Sequence, residues 1–252
     1  MNDFFEYVKN PTSDIHIETF SFKFFVKTIG LCYFLTFVTS FFIVVLKSNK
    51  GLPGYWTPEL NSLTFFLAVI LIGPLFEEII FRLNLIISKP GISAFLSVLI
   101  IAIFNLIFRP ETRIYSYLGV LPIFGLVYFI ISRSELPMRQ MEIFRKSYFK
   151  FLFHLCAITF GMLHLTNYAT IYWWMIMISP LLTAPYIALG YILGYIRMKY
   201  GFIYGCLIHS TINFISVIFT INKGIVVGLF LTVVVLTSYY LYQGSVEKLN
   251  ED

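Results

Sequence analysis

The chain has 252 residues, of which 58% are hydrophobic, 19% aromatic and only 12% charged. That composition describes a polytopic membrane protein and leaves no room for a sizeable soluble domain beside the spans. The net charge of +5 is weak evidence for nucleic acid, because basic residues in membrane proteins mostly mark cytoplasmic loops; no nucleic-acid partner is expected.

Met1 to Ser21 reads as a cytoplasmic or interfacial tail, with no cleavable signal peptide evident. The first span is Thr28 to Leu46, and Lys47 to Glu59 is a Gly/Pro-containing loop. The second span, Ser62 to Ile87, ends at the turn Ser88-Lys89-Pro90-Gly91. The third is Ile92 to Phe108, closed by Arg109 to Arg113, and the fourth is Ile114 to Ser132. Arg133 to Lys150 is the longest polar stretch. Its apolar positions suit an amphipathic helix on the membrane surface, facing lipid. The fifth span starts at Phe151, passes His154, Phe160 and His164, and ends between Leu165 and Tyr172. The sixth ends at Ile196 and is expected to bend at Pro180 and Pro185. A basic turn, Arg197 to Gly201, leads to the seventh span, Phe202 to Ile221. The eighth is Ile225 to Tyr242. The expected fold is therefore all-α, about eight transmembrane helices in a single integral membrane domain over residues 1–252, with a core at 62–221.

Five basic residues (Lys47, Lys50, Arg109, Arg113 and Lys223) fall on the side away from the N-terminus, and twelve on the other. That excess predicts a multi-pass protein of the cell membrane with both termini in the cytoplasm. Trp173, Trp174, Tyr168 and Tyr172 read as an interfacial aromatic belt. Cys32, Cys156 and Cys206 lie in apolar runs without CxxC spacing and read as free, buried thiols.

The polar groups inside the spans are few. Glu77 and Glu78 are the only acids, and His154, His164 and His209 the only histidines. An ionised carboxylate at membrane depth costs at least ~2.5 kcal/mol, so two side by side need a reason. Glu78 and Arg82 are four apart and share a helical face, where they can pair. Glu77 points about 100° away and stays free for chemistry. Pro74 removes the hydrogen bond to the Ile70 carbonyl and should kink the helix one turn earlier. His209 and Asn213 also lie on one helical face, as do Phe160 and His164. A carboxylate, two imidazoles and an amide from three helices can converge in a bundle. Such a set suits water-mediated attack on a carbonyl, with a base for the water and N–H donors for the oxyanion. No HExxH, no embedded aspartate and no GxSxG elbow is present. His154 matches no motif and reads as structural.

Glu77-Glu78-Ile79-Ile80-Phe81-Arg82 fits EExxxR, Phe160 to His164 fits FxxxH, and His209 to Asn213 fits HxxxN. In this order, each in a span, they resemble the CPBP family of type II CAAX prenyl endopeptidases and bacteriocin-processing or immunity proteins. Leu189 to Asn213, with Gly194 and Gly201, adds to the resemblance, which covers roughly Gly73 to Phe214. The resemblance implies an intramembrane glutamic endopeptidase with no metal and no cofactor. Glu77 would activate the water, His164 would position it, and His209 and Asn213 would form the oxyanion site. Glu78 and Arg82 would be supporting residues. The substrate would be a membrane-associated peptide or a lipidated protein, with membrane lipids as the surrounding partner. The alternatives are a non-catalytic immunity or signalling scaffold, and, ranked last, a transporter or proton relay. Glu78 and Arg82 also suit a purely structural ion pair.

Overall fold

The structure, a computed structural model, describes residues 2–14, 17–50, 67–108, 119–168 and 170–221. The expected eighth span, the loop over Arg109 to Arg113, the first residues of spans two and four and most of the Lys47 to Glu59 loop lie outside the described residues. Among the described residues every regular element is helical, so the chain is all-α. One helical stretch, Met138–Asn167, is long and apolar enough to cross a bilayer. Three shorter apolar helices cover Lys89–Phe104, Val120–Arg133 and Phe202–Val217.

Among the described residues the α-helices, in chain order, are α1 (Asn2–Lys9), α2 (Phe22–Lys50), α3 (Gly73–Phe81), α4 (Lys89–Phe108), α5 (Val120–Arg133), α6 (Met138–Leu163), α7 (Trp173–Met177), α8 (Ser179–Leu182), α9 (Ala184–Lys199) and α10 (Phe202–Ile221). The expected third and seventh spans coincide with α4 and α10, α10 with the predicted bounds, and the expected first span lies inside α2, which is longer at both ends. The predicted second span is instead three pieces: a π-helical turn (Ala68–Ile72), α3 and a 3-10 turn (Leu83–Leu85). The sixth is broken rather than bent. Ile178 and Thr183, each two residues before a proline, leave helical geometry with φ of −101° and −107°.

The stretch Arg133 to Lys150 is not a separate surface helix. Met138 to Lys150 is the first half of α6, continuous with the fifth span. Arg145 is buried rather than lipid-facing, because its side chain reaches across to the Leu85 carbonyl and pairs with Glu142.

Helix α9 is the centre of the packing, with α6, α10 and α2 against it. Small residues make the α6–α9 approach close. A Cβ on Gly190 would stand 2.7 Å from the Ala157 carbonyl oxygen, and one on Gly161 only 2.2 Å from Ile187. Ile192, Leu193 and Ile196 of α9 share the main core with Phe160, Ile208 and Ile29. The N-terminal tail docks on the same helix ends. Tyr7 packs edge-on against Phe153 and Tyr195, and Glu18 donates its N–H to the Lys199 carbonyl at 2.8 Å. Of the expected aromatic belt, Trp173 and Tyr172 are exposed, but Tyr168 is buried against Leu165, Met175 and Leu182. The three cysteines are free; Cys32 is buried, while Cys156 and Cys206 are only half-buried.

Candidate active site

The site begins with a backbone irregularity. In the π turn the Gly73 N–H donates to the Ala68 carbonyl, five residues back. The next donor in that register would be residue 74, facing Val69. Pro74 has no N–H, and the Asn213 side-chain amide from α10 takes the Val69 carbonyl instead, at 3.0 Å. In the wider register of the π turn, Pro74 also leaves the Val69 carbonyl without a backbone donor.

Helix α3 then carries both carboxylates, and the two face different surroundings. Glu78 is 1% exposed and its Oε1 lies 3.4 Å from Arg82 Nη1. The guanidinium also sits over the Phe160 ring, 3.9 Å from its centroid. Glu77 keeps 36% of its side chain exposed, while its Oε2 is buried and has no hydrogen-bond partner among the described residues. Glu78 thus pairs with Arg82, as the four-residue spacing predicts, while Glu77 faces another way.

His209 lies between the two. Its Nδ1 is 3.0 Å from Glu78 Oε1, and its Nε2 is 3.5 Å from Glu77 Oε2. The ring is 1% exposed. With Nδ1–H donating to the Glu78 carboxylate, the lone pair of a neutral ring sits on Nε2, turned to Glu77. Gly205, one turn before His209, makes room for this contact: a Cβ there would stand 3.3 Å from Glu78 Oε2.

His164 ends α6, where a 3-10 turn (His164–Asn167) follows. Its Nδ1 lies 2.8 Å from the Phe160 carbonyl, which can only accept, so Nδ1 carries a proton and, in the neutral ring, Nε2 is an acceptor. Tyr186 stacks on the imidazole at 4.1 Å. Phe160 joins the groups: its ring meets His164 at 4.8 Å, His209 at 5.6 Å and Phe81 at 5.6 Å, besides the guanidinium. Glu77, Glu78, Arg82 and His209 are thus in direct contact, His164 joins through Phe160, and Asn213 lies one turn farther along α10. His154 is elsewhere, with Nδ1 3.1 Å from the Tyr191 hydroxyl.

Two arginines fasten the far end of the carboxylate segment. Arg197 Nε donates to the Arg82 carbonyl at 3.2 Å, and Arg145 Nη1 to the Leu85 carbonyl at 2.8 Å. Sequence reasoning passed over Phe160, Tyr186, Arg145 and Arg197 as site residues. Phe160 had a signal, as the first letter of FxxxH; the others had none, because their partners are a ring face and backbone carbonyls. No group of three or more His, Cys, Asp or Glu side chains among the described residues is arranged to hold a metal ion.

No curated protein and no solved structure matches the chain. The family model for the type II CAAX prenyl endopeptidase Rce1-like family matches residues 59–215, which contain all three motifs and every side chain of the site described above, but not the N-terminal tail or α2. That is 157 of 252 residues (215 − 59 + 1), more than half of the chain. The chain belongs to the Rce1-like type II CAAX prenyl endopeptidase family, whose members are membrane-embedded, CAAX protease-like hydrolases.

Proposed function

We propose that the chain is an intramembrane glutamic endopeptidase that cleaves a membrane-associated peptide or a lipidated protein. The observation that carries this reading is the contrast between the two adjacent carboxylates. Glu78 is closed in by Arg82 and His209, while Glu77 is partly exposed and its buried Oε2, 3.5 Å from His209 Nε2, makes no hydrogen bond among the described residues.

In this reading Glu77 takes a proton from water as the water oxygen bonds to the scissile carbonyl carbon. His164 Nε2 accepts the water's other hydrogen and so orients it. The tetrahedral oxyanion is met by the Asn213 amide and by His209, whose Nε2 becomes a donor when it receives the proton held by Glu77. Collapse breaks the C–N bond, and the proton passes to the leaving amine. Glu78 and Arg82 fix the tautomer and orientation of His209 without touching substrate. No metal or cofactor takes part in the proposed step.

The same proposal holds the chain to be one integral membrane domain over residues 1–252, with about eight spans and both termini in the cytoplasm. The apolar composition supports multiple spans, and the length of α6 supports one of them. His209 lies eight residues from the Gly201 turn, or ~12 Å at 1.5 Å per residue, so the site opens toward the cytoplasm.

The test is a paired one. Wild type and Glu77→Gln are purified in detergent and incubated with a farnesylated CAAX peptide and with unmodified leader peptides. New termini are sought by mass spectrometry, with and without EDTA. Cleavage by wild type alone, unaffected by EDTA, is expected. Cleavage retained by Glu77→Gln would remove Glu77 from the mechanism, and cleavage lost with EDTA would turn the imidazoles into metal ligands.

A further inference from the structure

The bond between Asn213 and Val69 is made at a carbonyl that Pro74 cannot serve. In the register set by Gly73 and Ala68, a residue with an N–H at position 74 would reach the Val69 carbonyl itself. Proline cannot, and Pro74 is buried. The carbonyl is therefore left to a side chain, and Asn213 Nδ2 supplies it at 3.0 Å. An amide NH2 has two hydrogens in one plane. Fixing one on Val69 fixes the direction of the other.

We infer that Pro74 is a positioning residue for Asn213: by leaving the Val69 carbonyl without a backbone donor, it holds the Asn213 amide plane in place. This rests on the proposed oxyanion role of Asn213 for its effect on rate, but the contact itself does not. Two neighbouring bonds fit the assignment. Tyr33 of α2 donates to the Ile212 carbonyl at 2.8 Å, which steadies α10 beside Asn213. His209, one turn away on α10, is held by Glu78. The Asn213 side chain is then restrained at its tip as well as at its helix.

The experiment is a double-mutant cycle on the full chain with Pro74→Ala and Asn213→Ala. The first substitution restores a backbone N–H at position 74, which competes for the Val69 carbonyl and releases Asn213. Loss of an oxyanion donor costs roughly 10²-fold in kcat, so Asn213→Ala should fall by about that factor. Pro74→Ala should lower kcat by roughly five- to tenfold with KM unchanged, an intermediate loss because the amide is misdirected rather than removed. In the Asn213→Ala background, Pro74→Ala should change kcat less than about twofold, since the two act as one unit. The same cycle is read without activity, in the thermal unfolding midpoint in detergent. Pro74→Ala should raise the midpoint more in Asn213→Ala than in wild type, because only there does the new N–H rescue an unpartnered carbonyl. Equal shifts in both backgrounds would overturn the inference. A coupled midpoint in a protein that cleaves nothing would uphold the contact and count against the peptidase reading alone.

Discussion

Arg82→Met removes the charge that faces Glu78 in the most enclosed part of the site. Both side chains are 1% exposed and their closest atoms are 3.4 Å apart. Neither Arg82 Nη atom has a hydrogen-bond partner among the described residues. What holds the guanidinium is therefore the carboxylate charge and the Phe160 ring face at 3.9 Å. Breaking a buried pair on one side costs about 3–5 kcal/mol, and a desolvated cation–π contact about 2 kcal/mol. The expected loss is ~5 kcal/mol, a large share of the 5–15 kcal/mol typical of a folded domain. Equilibrium unfolding in mixed micelles, followed by helical circular dichroism, reads this loss. Two companions isolate the cause. Glu78→Gln added to Arg82→Met should recover most of the stability, because no buried charge is then left alone. Arg82→Lys keeps the charge but not the flat face, and should lose ~2 kcal/mol. A loss under ~1 kcal/mol for Arg82→Met, or no recovery in the double variant, would refute the account of Glu78 as a carboxylate closed in by its partner.

Gly205→Ala sets a methyl group 3.3 Å from Glu78 Oε2. It should displace that carboxylate from His209 and lower kcat, with the unfolding midpoint little changed; unchanged kcat would show that the Glu78–His209 bond is not needed for turnover. Tyr186→Leu removes the ring stacked on His164 at 4.1 Å. Such contacts contribute about 0.5–1.5 kcal/mol, so peptide cleavage should drop by up to about tenfold, and an unchanged rate would show that His164 is oriented without it. Arg145→Ala leaves the Leu85 carbonyl unmet and should cost about 1.5–3 kcal/mol, the usual size for a hydrogen bond to a charged group; chemical denaturation of the detergent-solubilised protein measures it.

The sequence made some of this readable and hid the rest for identifiable reasons. The Glu78–Arg82 pair was legible because four-residue spacing puts side chains on one face whatever the helix packs against. The bounds of α10 were legible because Gly201, at φ +99°, stops the preceding helix and an apolar run follows. The partner of His209 was not, since spacing gives a face of α10 and says nothing of which glutamate stands opposite. Asn213 was harder still. Its contact depends on a π turn, and a one-residue change in hydrogen-bond register is invisible in a run of Ala, Val, Ile and Leu. Arg145 misled because a basic residue in an amphipathic stretch reads as surface. Only the position of the Leu85 carbonyl turns it inward. Pro180 and Pro185 announced an irregularity, but not that the chain would divide into α7, α8 and α9.

One physical problem accounts for the arrangement of side chains around α3. A nine-residue helix flanked by a π turn and a 3-10 turn has backbone carbonyls that its own ladder does not satisfy. Three side chains from three other helices bond carbonyls along this segment: Asn213 of α10 at Val69, Arg197 of α9 at Arg82, which also accepts from the Leu85 N–H, and Arg145 of α6 at Leu85. Each bond is worth about 1–3 kcal/mol, and each also fixes the short helix to a different neighbour. Reactive groups must be held to within about 0.5 Å to be useful, which a short helix in a bundle does not achieve alone. The broken backbone that exposes these carbonyls is thus the means by which α6, α9 and α10 grip the segment bearing Glu77 and Glu78. Straightening it, by restoring an N–H at position 74, would leave α3 more regular and Asn213 less well placed.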